Sequence, residues 1–163
     1  MTWRIVIMGV AGSGKSSVGE ALSERLGIPY RDGDDLHTAA AVEKMRSGIP
    51  LTDADRWPWL DRVAAVLARE APVIIGCSAL KRAYRERIRT GAGGAVCFVH
   101  LQGSRELIAR RMAGRTGHYM PTTLLDSQFA ALEPPGPEEA VTVDIDQPLP
   151  ALVSAVLARL ASG

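Results

Sequence analysis

The 163-residue chain is short of several features that would narrow its class. It has two cysteines, Cys77 and Cys97, each inside an apolar run and neither with a CxxC partner or a second ligand nearby. That excludes a disulfide scaffold and a cysteine metal site, and suits a reducing compartment where both thiols serve as small buried hydrophobes. Charge of one sign is not in excess. Nineteen Lys and Arg against 18 Asp and Glu leave a formal net charge of +1, so nothing global points to nucleic acid or an anionic membrane as partner. Aromatics make up 5% of the chain, and the basic stretch Lys81–Arg89 holds only Tyr84, so no stacking platform for bases interleaves its cations. No apolar run approaches the ~18 residues of a membrane span. Met1–Met8 is apolar for one strand's length, with no charged leader or cleavage site, so no signal peptide is expected and a cytoplasmic location is. Repeats, low-complexity segments and long linkers are also missing. Residues 1–163 therefore read as one domain, and 47% hydrophobic residues suffice for its core.

What is present is a regular alternation of short apolar runs and helical patterns. Strands are expected at Trp3–Met8, Ile28–Arg31, Pro72–Cys77, Ala95–Leu101 and Ala140–Ile145. Helices are expected over Lys15–Leu26, about Leu36–Ser47, a stretch starting at Thr52 as N-cap, Leu80–Arg89, Ser104–Ala113, Thr122–Leu132 and the chain end from Leu149. The first strand is apolar throughout, as a strand covered on both faces should be. Strands separated by helices imply an α/β fold with a parallel sheet between two helical layers.

Gly9-Val10-Ala11-Gly12-Ser13-Gly14-Lys15-Ser16 joins the first strand to the first helix. Glycines let the backbone curl so that successive N–H groups face phosphate oxygens, and the helix opening at Lys15 adds the positive end of its dipole. In a phosphate loop Lys15 reaches the β- and γ-phosphates and the Ser16 hydroxyl meets Mg²⁺, with Ser17 next in the first turn. A glycine-rich turn with a chance Lys-Ser pair would not need the strand before it and the helix after it. The motif therefore points to ATP with Mg²⁺.

Asp32-Gly33-Asp34 stands at the C-terminal end of the second strand, where open parallel sheets place ligands. One carboxylate suits the metal shell and is assigned to Asp32. The other suits an acceptor hydroxyl and its proton, and is assigned to Asp34. A pair of helix-capping aspartates is the bland alternative. His37, three residues on, has a place beside Asp34 against a polyol.

The loop, Asp32-Gly33-Asp34-Asp35-Leu36-His37, the run Glu43–Leu60, Cys77-Ser78-Ala79-Leu80-Lys81-Arg82, Arg111-x-x-x-Arg115-x-Gly117-His118-Tyr119-Met120-Pro121, Leu124–Glu133 and Val143–Leu149 together resemble the gluconokinase family over nearly the whole chain. The resemblance implies a three-layer P-loop kinase fold with a parallel sheet in the order 2-3-1-4-5, acceptor-side helices over about 36–70 and a helical lid at about 111–121. It implies ATP-dependent phosphorylation of D-gluconate at the 6-hydroxyl. Lys15, Asp34, Arg111 and Arg115 would be catalytic, the two arginines closing over the phosphates. Arg111, Gln147 and Pro148 would border ATP. Asp34, His37, Arg56, Ser78, Lys81, Arg82 and Gln128 would meet gluconate. A homodimer is implied as well. The family usually has proline after the histidine and an asparagine soon after; this chain has Thr38 and Ala39-Ala40-Ala41. Kinases of shikimate or of nucleoside monophosphates are the competing enzyme readings. The Asp-Gly-Asp-x-x-His and Cys-Ser-Ala-Leu-Lys segments argue against both. A nucleotide-holding scaffold without turnover would show damage at Lys15, Asp34 or the lid arginines, and all are intact. Replacing Arg115 by Ala is expected to cut turnover by roughly tenfold or more with the fold preserved, because transition-state charge loses a stabilising cation; steady-state kinetics and circular dichroism of the variant check this, and near-normal turnover would contradict it.

Overall fold

The computed structural model describes residues 2–113 and 122–162. Its five strands, β1 (Arg4–Met8), β2 (Tyr30–Asp32), β3 (Val73–Gly76), β4 (Cys97–Gln102) and β5 (Ala140–Asp144), form one parallel sheet in the order β2-β3-β1-β4-β5. This is the expected order. The described α-helices are α1 (Lys15–Leu26), α2 (Ala39–Arg46), α3 (Asp53–Glu70), α4 (Arg82–Gly91), α5 (Arg105–Ala113), α6 (Thr122–Ala131) and α7 (Leu149–Ser162). The continuous apolar run of β1 resolves into two alternating sets. Ile5 and Ile7 join the core under α1, α5, α6 and α7, whereas Val6 and Met8 join the core under α3 and α4. Each fully buried side chain of this size stabilises the fold by about 2 kcal/mol, so packing on both faces accounts for the strand reading where local propensity would be ambiguous.

Two helices differ from expectation, both beside the site. The stretch read as one helix from Leu36 divides into a 3-10 turn, Gly33–Leu36, and α2. Asp32 caps the turn by accepting the Asp34 amide at 2.9 Å, His37 is extended, and Thr38 Oγ1 caps α2 by accepting the Ala41 amide at 3.1 Å. Thr38, the departure noted above, thus supplies a helix cap. The helix read from Leu80 begins at Arg82, because Ala79 turns left-handed (φ 47°) and Lys81 is extended. At this helix start the Arg82 amide donates to Glu133 at 2.7 Å. The Thr52 cap of α3 is as expected. Thr52 and Asp55 form a reciprocal capping box, and Lys44 with Thr52 holds the Asp55 carboxyl down to about 2. Cys77 is buried and Cys97 only partly covered; both are free thiols, and burial pushes the Cys77 thiol up to about 12.

The left-handed Ala79 is held by a buried arginine. Arg85 donates from Nη1 to the carbonyls of Ala79 (2.8 Å) and Leu80 (3.0 Å), from Nη2 to the Glu133 carbonyl (2.9 Å), and from Nε to Glu139 (2.6 Å). Burial alone would push the Glu139 carboxyl up, but Arg85 and then Arg89 outweigh it and keep it below the ordinary range. A carboxylate depressed in this way stabilises the fold above its unfolded-chain pKa, and the contribution is lost as pH falls through the depressed value. Glu139→Gln leaves the buried Arg85 charge without its counter-ion. It is expected to lower unfolding free energy by about 3 kcal/mol at neutral pH and to flatten the loss of stability on the acid side; urea denaturation at several pH values measures both, and a change within about 0.5 kcal/mol would contradict the assignment.

Candidate active site

The phosphate loop is built by backbone conformation. Gly14 sits at the N-cap of α1 with φ 96°, a conformation that disfavours any residue with a Cβ. The Lys15 ammonium donates to the carbonyls of Gly9 (2.9 Å) and Val10 (3.0 Å), folding back over the loop it serves. Burial pushes its pKa down, while the Asp34, Cys77 and Asp32 charges oppose the shift. The Gly9 amide donates to the Ser78 carbonyl at 3.2 Å, which fastens the loop to the segment after β3. The Ser13 hydroxyl is buried with no hydrogen-bond partner among the described residues. Ser16 and Ser17 are exposed on the first turn of α1, and the Tyr30 hydroxyl donates to Ser16 Oγ at 3.5 Å.

The acceptor edge hangs on Gly33. A Cβ there would lie 2.4 Å from the Gly76 carbonyl oxygen, so no other residue fits without moving β3. Trp59 of α3, 2% exposed, donates its indole N–H to the Gly33 carbonyl at 2.7 Å. The same indole stacks on the His37 ring, with centroids 4.2 Å apart and an 18° interplanar angle. Asp34 leaves this clasp at the first turn of the 3-10 helix. Its side chain is 77% exposed, yet the surrounding protein and then the Asp32 charge push its carboxyl up, with Lys15 and His37 opposing. His37 Nε2 is 3.9 Å from Asp34 Oδ1, and burial keeps the imidazole pKa below 6.5, hence neutral at pH 7. Its Nδ1 is buried without a partner among the described residues.

A second group of polar side chains gathers on the Tyr84 ring. Arg56 and Lys81 each stand 5.6 Å from its centroid, and Arg56 also donates to the Leu51 carbonyl at 2.6 Å. Lys81 Nζ is 3.2 Å from Asp53, which also accepts a short hydrogen bond from the Tyr84 hydroxyl. Lys81 and Arg56 are thus fixed cations beside the loop that carries Ser78. Arg82 is placed differently: its side chain runs along the surface of α4 to Glu86 at 3.2 Å and is 66% exposed. Gln128 likewise meets another part of the cleft, since its side-chain oxygen accepts the Ala11 amide of the phosphate loop.

On the nucleotide side, Arg111 near the end of α5 donates to the Ile145 carbonyl at 2.5 Å, which ties it to the loop after β5. In that loop Gln147 Nε2 donates to the Asp144 carbonyl at 2.7 Å, and the Pro148 carbonyl accepts the first bond of α7 from Leu152 at 3.0 Å. Arg115, with the lid residues 114–121, lies outside the described residues. Trp59, Tyr30, Asp53 and Glu133 carry structural weight that motif reading did not assign. The close spacing of Trp57 and Trp59 in the acceptor-side helix was the available signal for the first. A Cβ on Gly19 would meet the Tyr30 ring and one on Gly76 the Tyr30 hydroxyl, a fit that becomes visible only once α1, β2 and β3 are assembled.

Comparison with known proteins places the chain in a family. Residues 5–135 match the family model described as an AAA domain. The gluconokinase of Gluconobacter oxydans (strain 621H) is 47% identical over 141 residues, covering 84% of this chain and 79% of that protein. The chain belongs to the gluconokinase family. The crystal structure of a gluconokinase from Sinorhizobium meliloti 1021 superposes with a TM-score of 0.92 at 52% identity, covering 98% of this chain and 92% of that one. A shikimate kinase from Aquifex aeolicus shares the fold at a TM-score of 0.64, but only 18% of the sequence. Within this family member, the clasp on Gly33 generates a prediction. Trp59→Phe keeps the apolar bulk but orphans the Gly33 carbonyl, at a cost of about 1–3 kcal/mol. Because Asp34 hangs from that carbonyl's residue, kcat is expected to fall further than the Michaelis constants rise; chemical denaturation and steady-state kinetics of the variant check this, and unchanged kcat would contradict it.

Proposed function

We propose that this chain transfers the γ-phosphoryl group of ATP to the 6-hydroxyl of D-gluconate, giving 6-phospho-D-gluconate and ADP. The observation that carries the reading is the placement of Asp34. In support, Asp34 is an exposed carboxylate on a fixed turn whose charge and that of Lys15 act on each other, with His37 3.9 Å away, in a chain of the gluconokinase family.

The roles follow from the chemistry each side chain can supply. The backbone from Gly9 to Ser16, with Ser17, cradles the phosphates, and Lys15 turns from the Gly9 and Val10 carbonyls toward the β- and γ-phosphates. Asp34 accepts the proton of the 6-hydroxyl as its oxygen bonds to phosphorus and the bond from the γ-phosphorus to ADP breaks. His37 holds a neighbouring hydroxyl as a neutral partner. Lys81 and Arg56, with Ser78, face the anionic, hydroxyl-rich acceptor, and Arg82 reaches it only by leaving Glu86. Arg111 and Arg115 close on the phosphoryl group, and Gln147 and Pro148 border the base. Mg²⁺ would be held by Ser16 Oγ and the Asp32 carboxylate, hard oxygen donors that suit it. Among the described residues no group of three or more His, Cys, Asp or Glu gathers to cage a metal, so the remaining ligands would be phosphate oxygens and water. The ion's contribution is to neutralise charge on the β- and γ-phosphates. The same reading brings a cytoplasmic location and a homodimer; no described helix is long and apolar enough to cross a membrane.

Release of ADP, followed by a coupled assay over gluconate, shikimate, other sugar acids and nucleoside monophosphates, tests the substrate. Stimulation by gluconate alone or far above the rest is expected, and no stimulation by gluconate overturns the reading. The raised Asp34 carboxyl gives a pH prediction. The base must be ionised, and its pKa lies above the ordinary 3.8, so kcat/KM should fall on the acid side at higher pH than an ordinary aspartate would dictate. A pH–rate profile locates the limb, and a limb at or below the ordinary value would contradict the assignment.

A further inference from the structure

Gln128 lies toward the C-terminal end of α6, and its side-chain oxygen accepts the Ala11 amide at 2.7 Å. That amide is one of the donors with which the loop would hold a nucleotide. Its neighbours point to the phosphate it would serve. The Lys15 ammonium rests on the carbonyls of Gly9 and Val10, immediately before Ala11. Lys15 reaches the β- and γ-phosphates, so the Ala11 N–H belongs to the far end of the phosphate chain, while the amides at the start of α1 serve the nearer phosphates.

The helix that carries Gln128 is anchored independently of the loop. At its C-terminal end the Glu133 amide donates to the Leu80 carbonyl at 2.8 Å, and the Glu133 carboxylate accepts the Arg82 amide at 2.7 Å. Asp126 pairs with Arg105 of α5. A phosphate arriving at Ala11 therefore meets a side chain on a fixed support and displaces the side chain alone. A carboxamide suits that position because it presents an acceptor on one side and two donors on the other.

We propose that Gln128 is a positioning residue for the terminal phosphate of the donor nucleotide. Its oxygen satisfies the Ala11 N–H until a triphosphate binds. A γ-phosphate oxygen then takes that N–H, and the rotated carboxamide donates its NH₂ to the same phosphate. ADP has no γ-phosphate and leaves the Gln128–Ala11 bond in place, so the residue separates ATP from ADP. The inference rests on ATP being the phosphoryl donor and not on gluconate being the acceptor.

Calorimetric titration of the full chain with ADP and with a non-hydrolysable ATP analogue, without acceptor, tests it. Gln128→Glu keeps an acceptor for Ala11 but sets a negative charge against the γ-phosphate. It is expected to weaken the analogue by roughly tenfold or more while ADP affinity moves by less than about threefold. Gln128→Met, similar in size but without hydrogen bonds, is expected to weaken the analogue by about fivefold with ADP again nearly unchanged. ADP binding reports that the phosphate loop is folded in each variant. Equal weakening of both nucleotides, or no change in either, overturns the proposal. Absence of gluconate phosphorylation by the wild-type chain, with the two affinity ratios as expected, would count against the acceptor assignment alone.

Discussion

The acceptor side of the cleft depends on the clasp around Gly33. Just after β2 the backbone passes so close to the Gly76 carbonyl that a Cβ at position 33 would stand 2.4 Å from it, and the Trp59 indole holds the Gly33 carbonyl at 2.7 Å. The next residue is Asp34, and its amide is bonded to Asp32. Three constraints on consecutive residues therefore fix the backbone beneath one exposed carboxylate. Trp59 also stacks on His37, so a single buried side chain of α3 supports both polar groups of the acceptor edge. An exposed carboxylate can be accurately placed only when the backbone beneath it has no freedom, and here sterics and a buried hydrogen bond remove it.

Electrostatics give the two halves of the cleft their complementary character. On the nucleotide side, Lys15 is partly stripped of water and its ammonium is supported by loop carbonyls and by the Asp34 and Asp32 charges. Across from it, the surrounding protein and then the Asp32 charge raise Asp34. Further out, Lys81 and Arg56 lean on Tyr84, with Asp53 bridging Lys81 and the Tyr84 hydroxyl. Behind all of these, Arg85 gathers the carbonyls of Ala79, Leu80 and Glu133 around one buried ion pair. The segment between β3 and α4 is thus fixed from below while its polar edge stays open.

Much of this was legible from the residues. Buried strands announce themselves as apolar runs, the Gly-rich loop sits between a strand and a helix, and Thr52 with Asp55 is a helix start on spacing alone. What was not legible required the third dimension. The break between Leu36 and Ala39 depends on Asp32 and Thr38 capping separate turns, a local competition that helical periodicity does not report. The late start of α4 depends on Arg85 reaching back to Ala79 and Leu80, and an arginine in a basic run reads as a surface charge until its partner, 54 residues away, is in place. Gln128 and Arg82 were both grouped with acceptor residues by motif; side-chain direction sets one on the phosphate loop and the other along the helix surface.

The central claim is that Asp34 acts in the transfer step on an acceptor that the rest of the cleft binds. Gluconate binding and single-turnover phosphoryl transfer in Asp34→Asn, measured on the same preparation, test it most directly. Gluconate should still bind within about threefold of the wild-type affinity while transfer from ATP falls by roughly a hundredfold or more. Transfer at near wild-type rate from this variant would contradict the account.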